Sequence, residues 1–159
     1  MKKSILLVSV CLFVSLVGCA TVPPATYDFE KTKVFKGKTY DQCWVGVMQY
    51  FSSLGNPIKN MDKASGFIST ESNLTVNSSA MCDCGKAGFG LTPTNTIGNY
   101  NVLVRKISEN ETAVDVNAFF ILNLDVVNLN GGLPGHTTLK CNSKGAIEKE
   151  IFEYIENAK

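Results

Sequence analysis

The side chains best suited to bond-making chemistry are six cysteines and one histidine, and their spacing limits what they can do. Cys82-Asp83-Cys84-Gly85 puts two thiols into one short run, while Cys43 and Cys141 stand far from it. In an oxidising compartment Cys43, Cys82, Cys84 and Cys141 allow three complete disulfide pairings, and spacing does not choose among them. A Cys₃His metal set of Cys82, Cys84, His136 and Cys141 is conceivable. However, Cys-x-Cys is a tighter knuckle than the usual Cys-x₂₋₄-Cys, so no metal is expected. Catalysis has less support. His136 sits among Gly131-Gly132 and Pro134-Gly135, with no Gly-x-Ser-x-Gly elbow and no His-Glu-x-x-His. Gly85-Lys86-Ala87-Gly88-Phe89-Gly90 lacks the terminal Gly-Lys-Ser/Thr of a phosphate loop. No catalytic residue, cofactor or enzyme activity is expected.

The elements that must position these residues read as an α+β domain. Tyr27 to Lys36 alternates loosely and predicts a first strand. Thr39-Tyr40-Asp41-Gln42 fits a capping box, and Tyr40, Val47, Phe51 and Leu54 recur at helical spacing beside Cys43 and Trp44. Gly55 supplies the stop and Pro57 prevents continuation. A strand over 57–61, a turn at Asp62-Lys63-Ala64-Ser65-Gly66, and a second arm carrying Phe67, Ile68, Leu74 and Val76 follow. The longest hairpin pairs Asn99–Ile107 with Thr112–Leu124 through Ser108-Glu109-Asn110-Glu111. Asn142 or Ser143 is expected to cap a last helix with Ile147, Ile151, Tyr154 and Ile155 on one face. The predicted architecture is a twisted antiparallel sheet with two helices on one face, in the order β-α-β-β-β-β-α. Residues 78–97 and 128–140 show little periodicity and are expected as Gly-rich loops. A stretch of about 20 irregular residues should be tied down by something.

Charged residues make up 18% of the chain, below the typical quarter, while Asn, Ser, Thr and Gly are plentiful. That composition describes a neutral, β-rich surface without the basic density that phosphate neutralisation needs, so nucleic acid is not an expected partner.

Met1-Lys2-Lys3 opens an apolar run from Ile5 to Val17. About a dozen residues suit a secretory signal and fall short of the roughly 20 that span a bilayer. The run ends in Leu16-Val17-Gly18-Cys19, which resembles the lipobox of bacterial lipoprotein precursors. In that family a small residue lets the signal peptidase close before the cysteine, whose thiol carries diacylglycerol. The resemblance implies removal of 1–18, a lipidated tether over 19–26, and one α+β domain over 27–159. Cys19 becomes the acylated N-terminus, and two or more acyl chains anchor stably where one does not. Cys11 lacks this setting because Val10 and Leu12 are bulky. Cleavage also removes Lys2 and Lys3 from the 15 basic residues, leaving about one net negative charge against 14 acidic ones.

Export of such a lipoprotein passes through an oxidising periplasm. That export, an irregular stretch in need of restraint and the lipoprotein resemblance itself together motivate an expected Cys84–Cys141 disulfide. It would close a loop of about 57 residues, worth on the order of 4 kcal/mol. Cys43–Cys82 is a weaker second pairing, since Cys43 on the first helix also suits a buried free thiol. Ala20 follows the lipid cysteine where, in the better-known sorting systems, an Asp retains the protein in the inner membrane. The outer membrane, facing the periplasm, is therefore expected.

From Thr39 onward, the helix, the Pro-led strand and the Asp62-to-Ile68 turn resemble the helix-grip modules of BamC-like envelope lipoproteins. Asp83-Cys84-Gly85 and Cys141-Asn142-Ser143-Lys144-Gly145 likewise resemble small lipoproteins of this general shape. That family is an accessory part of the outer-membrane β-barrel assembly machinery. The resemblance implies a helix-grip fold. With no acid–base pair or nucleophile signature, a non-catalytic protein-interaction or scaffolding module is expected, meeting envelope proteins through the two loops because loops carry recognition. The alternative is an envelope ligand-binding protein or hydrolase with a pocket near His136 or Asp83.

Overall fold

The alternating residues of the long hairpin build the sheet on which everything else rests. A computed structural model describes residues 21–71, 74–127 and 135–158. The signal segment 1–18, Cys19 and the Gly131-Gly132 run fall outside the described residues. The elements are β1 (Thr32–Lys36), α1 (Tyr40–Ser53), β2 (Ile58–Asp62), β3 (Phe67–Thr70), β4 (Leu74–Thr75), α2 (Ser78–Met81), β5 (Cys82–Asp83), β6 (Leu91–Ser108), β7 (Glu111–Val126), β8 (Gly135–Ser143) and α3 (Ala146–Asn157). The chain is thus α+β, and every strand pairing among the described residues is antiparallel. The sheet runs β2-β3-β6-β7-β8 with β5 appended at the end of β8, while β1 pairs with β7 and β4 with β6.

Val102 lies opposite Val116 and Val104 opposite Val114, all buried on one face of the β6–β7 hairpin. Phe51 of α1 stacks on Tyr100 with ring centroids 6.4 Å apart. Ile147, Ile151, Phe152 and Ile155 of α3 join the same core. The two long helices touch at Gly46, where an added Cβ would stand 3.1 Å from Ile155 Cγ1. Burying a side chain such as Phe51 or Ile151 contributes about 1.5–3 kcal/mol relative to exposure, as an upper figure.

Local chemistry explains how α1 starts and stops. The Thr39 side chain accepts from the Gln42 N–H, and the Gln42 side chain takes the Thr39 N–H at 2.9 Å, completing the capping box. Past the last turn, Gly55 N–H donates to Ser52 O and Asn56 N–H to Phe51 O, a Schellman closure that its φ of +64° permits.

Several expectations need correction. The first strand begins at Thr32 rather than Tyr27, and the second arm is split into β3 and β4. The 78–97 stretch is helix or strand except for residues 84–90, because α2, β5 and the first part of β6 occupy it. Pro93 lies inside β6, next to a register shift between Pro93 and Asn95, and proline is tolerated in strands at such irregularities. In the 128–140 stretch, residues 135–140 belong to β8, while 128–134 lie outside the described residues. Neither Asn142 nor Ser143 caps α3, since both are held in β8. Gly145 is the N-cap, with φ of +82°. Phe152, not Tyr154, completes the buried stripe of α3.

Candidate functional site

Cys82 and Asp83 of β5 pair with Ser143 and Asn142 of β8, and one further step of that register sets Cys84 opposite Cys141. Their Sγ atoms are at disulfide distance, 1.98 Å. Side chains two apart on a strand share a face, so Cys82 also turns toward this pair, its Sγ 3.9 Å from that of Cys84. The three sulfurs lie within 4.8 Å of one another. His136 is not with them: five residues from Cys141 along the same strand is about 17 Å. Of the two readings open for Cys43, the structure has the buried free thiol and not the weaker Cys43–Cys82 pairing. Cys82 is likewise a buried free thiol, and burial pushes both pKa values up.

The clamp fixes a shelf, and the chain entering the domain lies on it. Asp83 Oδ1 accepts the Gly85 N–H at 2.7 Å and Oδ2 accepts the Tyr27 hydroxyl at 3.0 Å. Both bonds, the Gly85 one foremost, hold its carboxyl below the usual carboxylate range. Val22 and Lys86 exchange two backbone hydrogen bonds, of 3.2 and 3.0 Å. Asn142 Nδ2 donates to Ala25 O at 2.9 Å. Gly85 is required here: its φ is +68°, and a Cβ would lie 2.0 Å from Val22 O. Much of the segment expected as a tether is therefore docked from Val22 onward.

Beside this shelf the edge of β7 changes partner. β1 pairs with it as far as Asp115, and β8 takes over at Phe120. A cleft of about 430 Å³ opens at the handover, bordered by Phe29, Lys31, Ala118, Phe120, Asn142 and Glu148. Glu148 is only 1% exposed. Its Oε2 accepts the Ser143 hydroxyl at 3.1 Å, while Oε1 is the buried side-chain oxygen left without a partner among the described residues. Burial drives its pKa up, opposed by backbone N–H groups of Glu148 and Ala118, the Ser143 hydroxyl and the Lys31 charge.

His136 lines a separate polar depression of about 390 Å³ with Thr94, Asn123 and Asp125. Its Nδ1 is 2.8 Å from Asp125 Oδ1 on an exposed part of the sheet. Such a pair orients an imidazole, but among the described residues no hydroxyl or thiol is hydrogen-bonded to its other nitrogen.

Of the residues singled out in the sequence, Cys84, Cys141, Cys82 and Asp83 come together, whereas His136 and Cys43 stand apart. Val22, Tyr27, Asn142 and Glu148 were missed. Only Glu148 left a signal, as a carboxylate three residues into a helix that starts after glycine. No protein-family model matches the chain, and no curated protein matches its sequence.

Two predictions follow from this geometry. Cys84→Ser with Cys141→Ser should lower stability by up to about 4 kcal/mol, set by the loop the bond closes. A urea midpoint equal to that of the oxidised parent would contradict it. For Glu148 the folded pKa lies above the unfolded value of 4.5. Its stability contribution is complete below pH 4.5 and is lost as pH rises through the folded value. Glu148→Gln should remove that loss, so the parent's urea midpoint falls relative to the variant's between acid and neutral pH. Parallel midpoints would contradict it.

Proposed function

We propose that the chain is a bacterial lipoprotein, cleaved before Cys19 and acylated there, whose mature domain is a non-catalytic protein-interaction module. It sits at the periplasmic face of the outer membrane and meets other envelope proteins close to the bilayer. The Leu16-Val17-Gly18-Cys19 lipobox and the short signal run support the anchor. The observation that carries the reading is the docking of Val22 on Lys86, three residues after Cys19. A flexible tether would let the domain tumble, whereas a segment bonded to the domain this close to the anchor fixes which side faces the bilayer. Confinement at the membrane also raises effective concentration, so individually weak contacts suffice. The helix-grip likeness belongs with this reading: α1 and α3 lie together over a hairpin sheet, as in BamC-like modules.

A second reading, an envelope ligand-binding protein, is favoured by the cleft at Glu148. An unpaired buried carboxyl oxygen costs about 1–3 kcal/mol unless something donates to it.

Cys19→Ser should leave the domain folded but move it from the outer-membrane fraction to the soluble periplasmic fraction, and abolish crosslinks to envelope partners. A parent chain found only with inner-membrane markers would overturn the location. Retained crosslinks in the soluble variant would overturn the anchored-module reading.

A further inference from the structure

The docked entry segment and the chain that follows its Lys86 partner carry exposed apolar groups that the core does not use. Phe89 is the most exposed large hydrophobic among the described residues, at 80%. It lies three residues after Lys86, to which Val22 is bonded, and next to Gly90, whose carbonyl accepts the Val127 N–H at 2.7 Å. Val22 and Val127 are themselves half exposed. Lys86 is exposed at the same place. Val22, Lys86, Phe89 and Val127 are thus all exposed and are linked through the 86–90 segment, Val22 by its bonds to Lys86 and Val127 by its bond to Gly90.

We propose that this surface of Val22, Phe89 and Val127, rimmed by Lys86, lies directly on a phospholipid bilayer, with the Phe89 ring in the interfacial layer. The inference rests on the anchoring reading above and assigns the face of the domain that the anchor brings down. Chain length supplies the argument for a bilayer over any other occupant. Three residues separate Cys19 from Val22, and an extended chain covers at most about 3.6 Å per residue. An acylated Cys19 thus stands within about 11 Å of Val22, and through its two backbone bonds, close to Lys86. A partner protein would have to fit between the acyl chains and this surface, and so short a link leaves little room for one.

The chemistry agrees. Aromatic rings and aliphatic side chains favour the boundary between headgroups and acyl chains, and lysine favours anionic headgroups. The acyl chains supply the affinity, and the Phe89 surface sets orientation. Exposed Met61 provides the contrast: it lies on β2, at the edge of the sheet opposite β5.

The test uses full-length protein purified from bacterial membranes and reconstituted in phosphatidylethanolamine–phosphatidylglycerol vesicles with brominated acyl chains. Phe89→Trp and Met61→Trp are compared with the parent, whose buried Trp44 gives the background. Mass spectrometry first reads the state of Cys19. Expected is bromine quenching of most of the emission added by Phe89→Trp and of little of that added by Met61→Trp. Acylated protein with an unquenched indole at position 89, or equal quenching at both positions, overturns the assigned face and leaves the anchor standing. A chain without acyl groups on Cys19 overturns the anchor and the face together.

Discussion

The bond between Cys84 and Cys141 is the constraint on which the β5 half of the domain depends. β5 is two residues long, too short for its ladder with β8 to hold by itself. Linking the residue after it to β8 fixes the position of everything that β5 carries. Asp83 is then aimed at Tyr27, Gly85 is placed under Val22, and Lys86 can complete the bridge. Without the link, each of these contacts would have to order a loop before forming, at about 1–2 kcal/mol of backbone entropy per residue.

The other half is held differently. The α1–α3 pair and the β6–β7 hairpin are joined by dry packing around Phe51, Tyr100, Val102 and Ile151, which needs no covalent help. Cys82 lies between the halves, buried against the core yet 3.9 Å from the clamp. A packed core carries stability, and a clamped periphery can be varied to carry contacts.

Legibility in the sequence followed the range of the interactions. The Thr39–Gln42 capping box, the Gly55 stop and the long hairpin are local patterns, so they were readable. β8 was not, because Gly-His-Thr-Thr-Leu-Lys-Cys-Asn-Ser offers only Leu139 and Cys141 to an apolar alternation, as suits a strand with exposed residues. The start of β6 was hidden by Pro93 and by glycines that read as loop. The clamp was reached only through the lipoprotein resemblance and the oxidising compartment it implies, since the four cysteines left three pairings open. The shelf for Val22–Tyr27 depends on residues more than fifty positions away, and neither Thr-Val-Pro-Pro nor Gly-Lys-Ala-Gly points to the other.

The central claim is that the chain just after Cys19 is bonded to a disulfide-clamped shelf. Amide hydrogen exchange at Val22 and Lys86 in the oxidised protein tests it most directly. Both N–H groups donate within the bridge, so both should exchange far more slowly than unstructured peptide. Gly85→Ala, which drives a Cβ into Val22 O, should release the two together while amides of the β6–β7 hairpin stay protected. Random-coil exchange at Val22 in the oxidised parent, or protection unchanged by Gly85→Ala, would contradict the account.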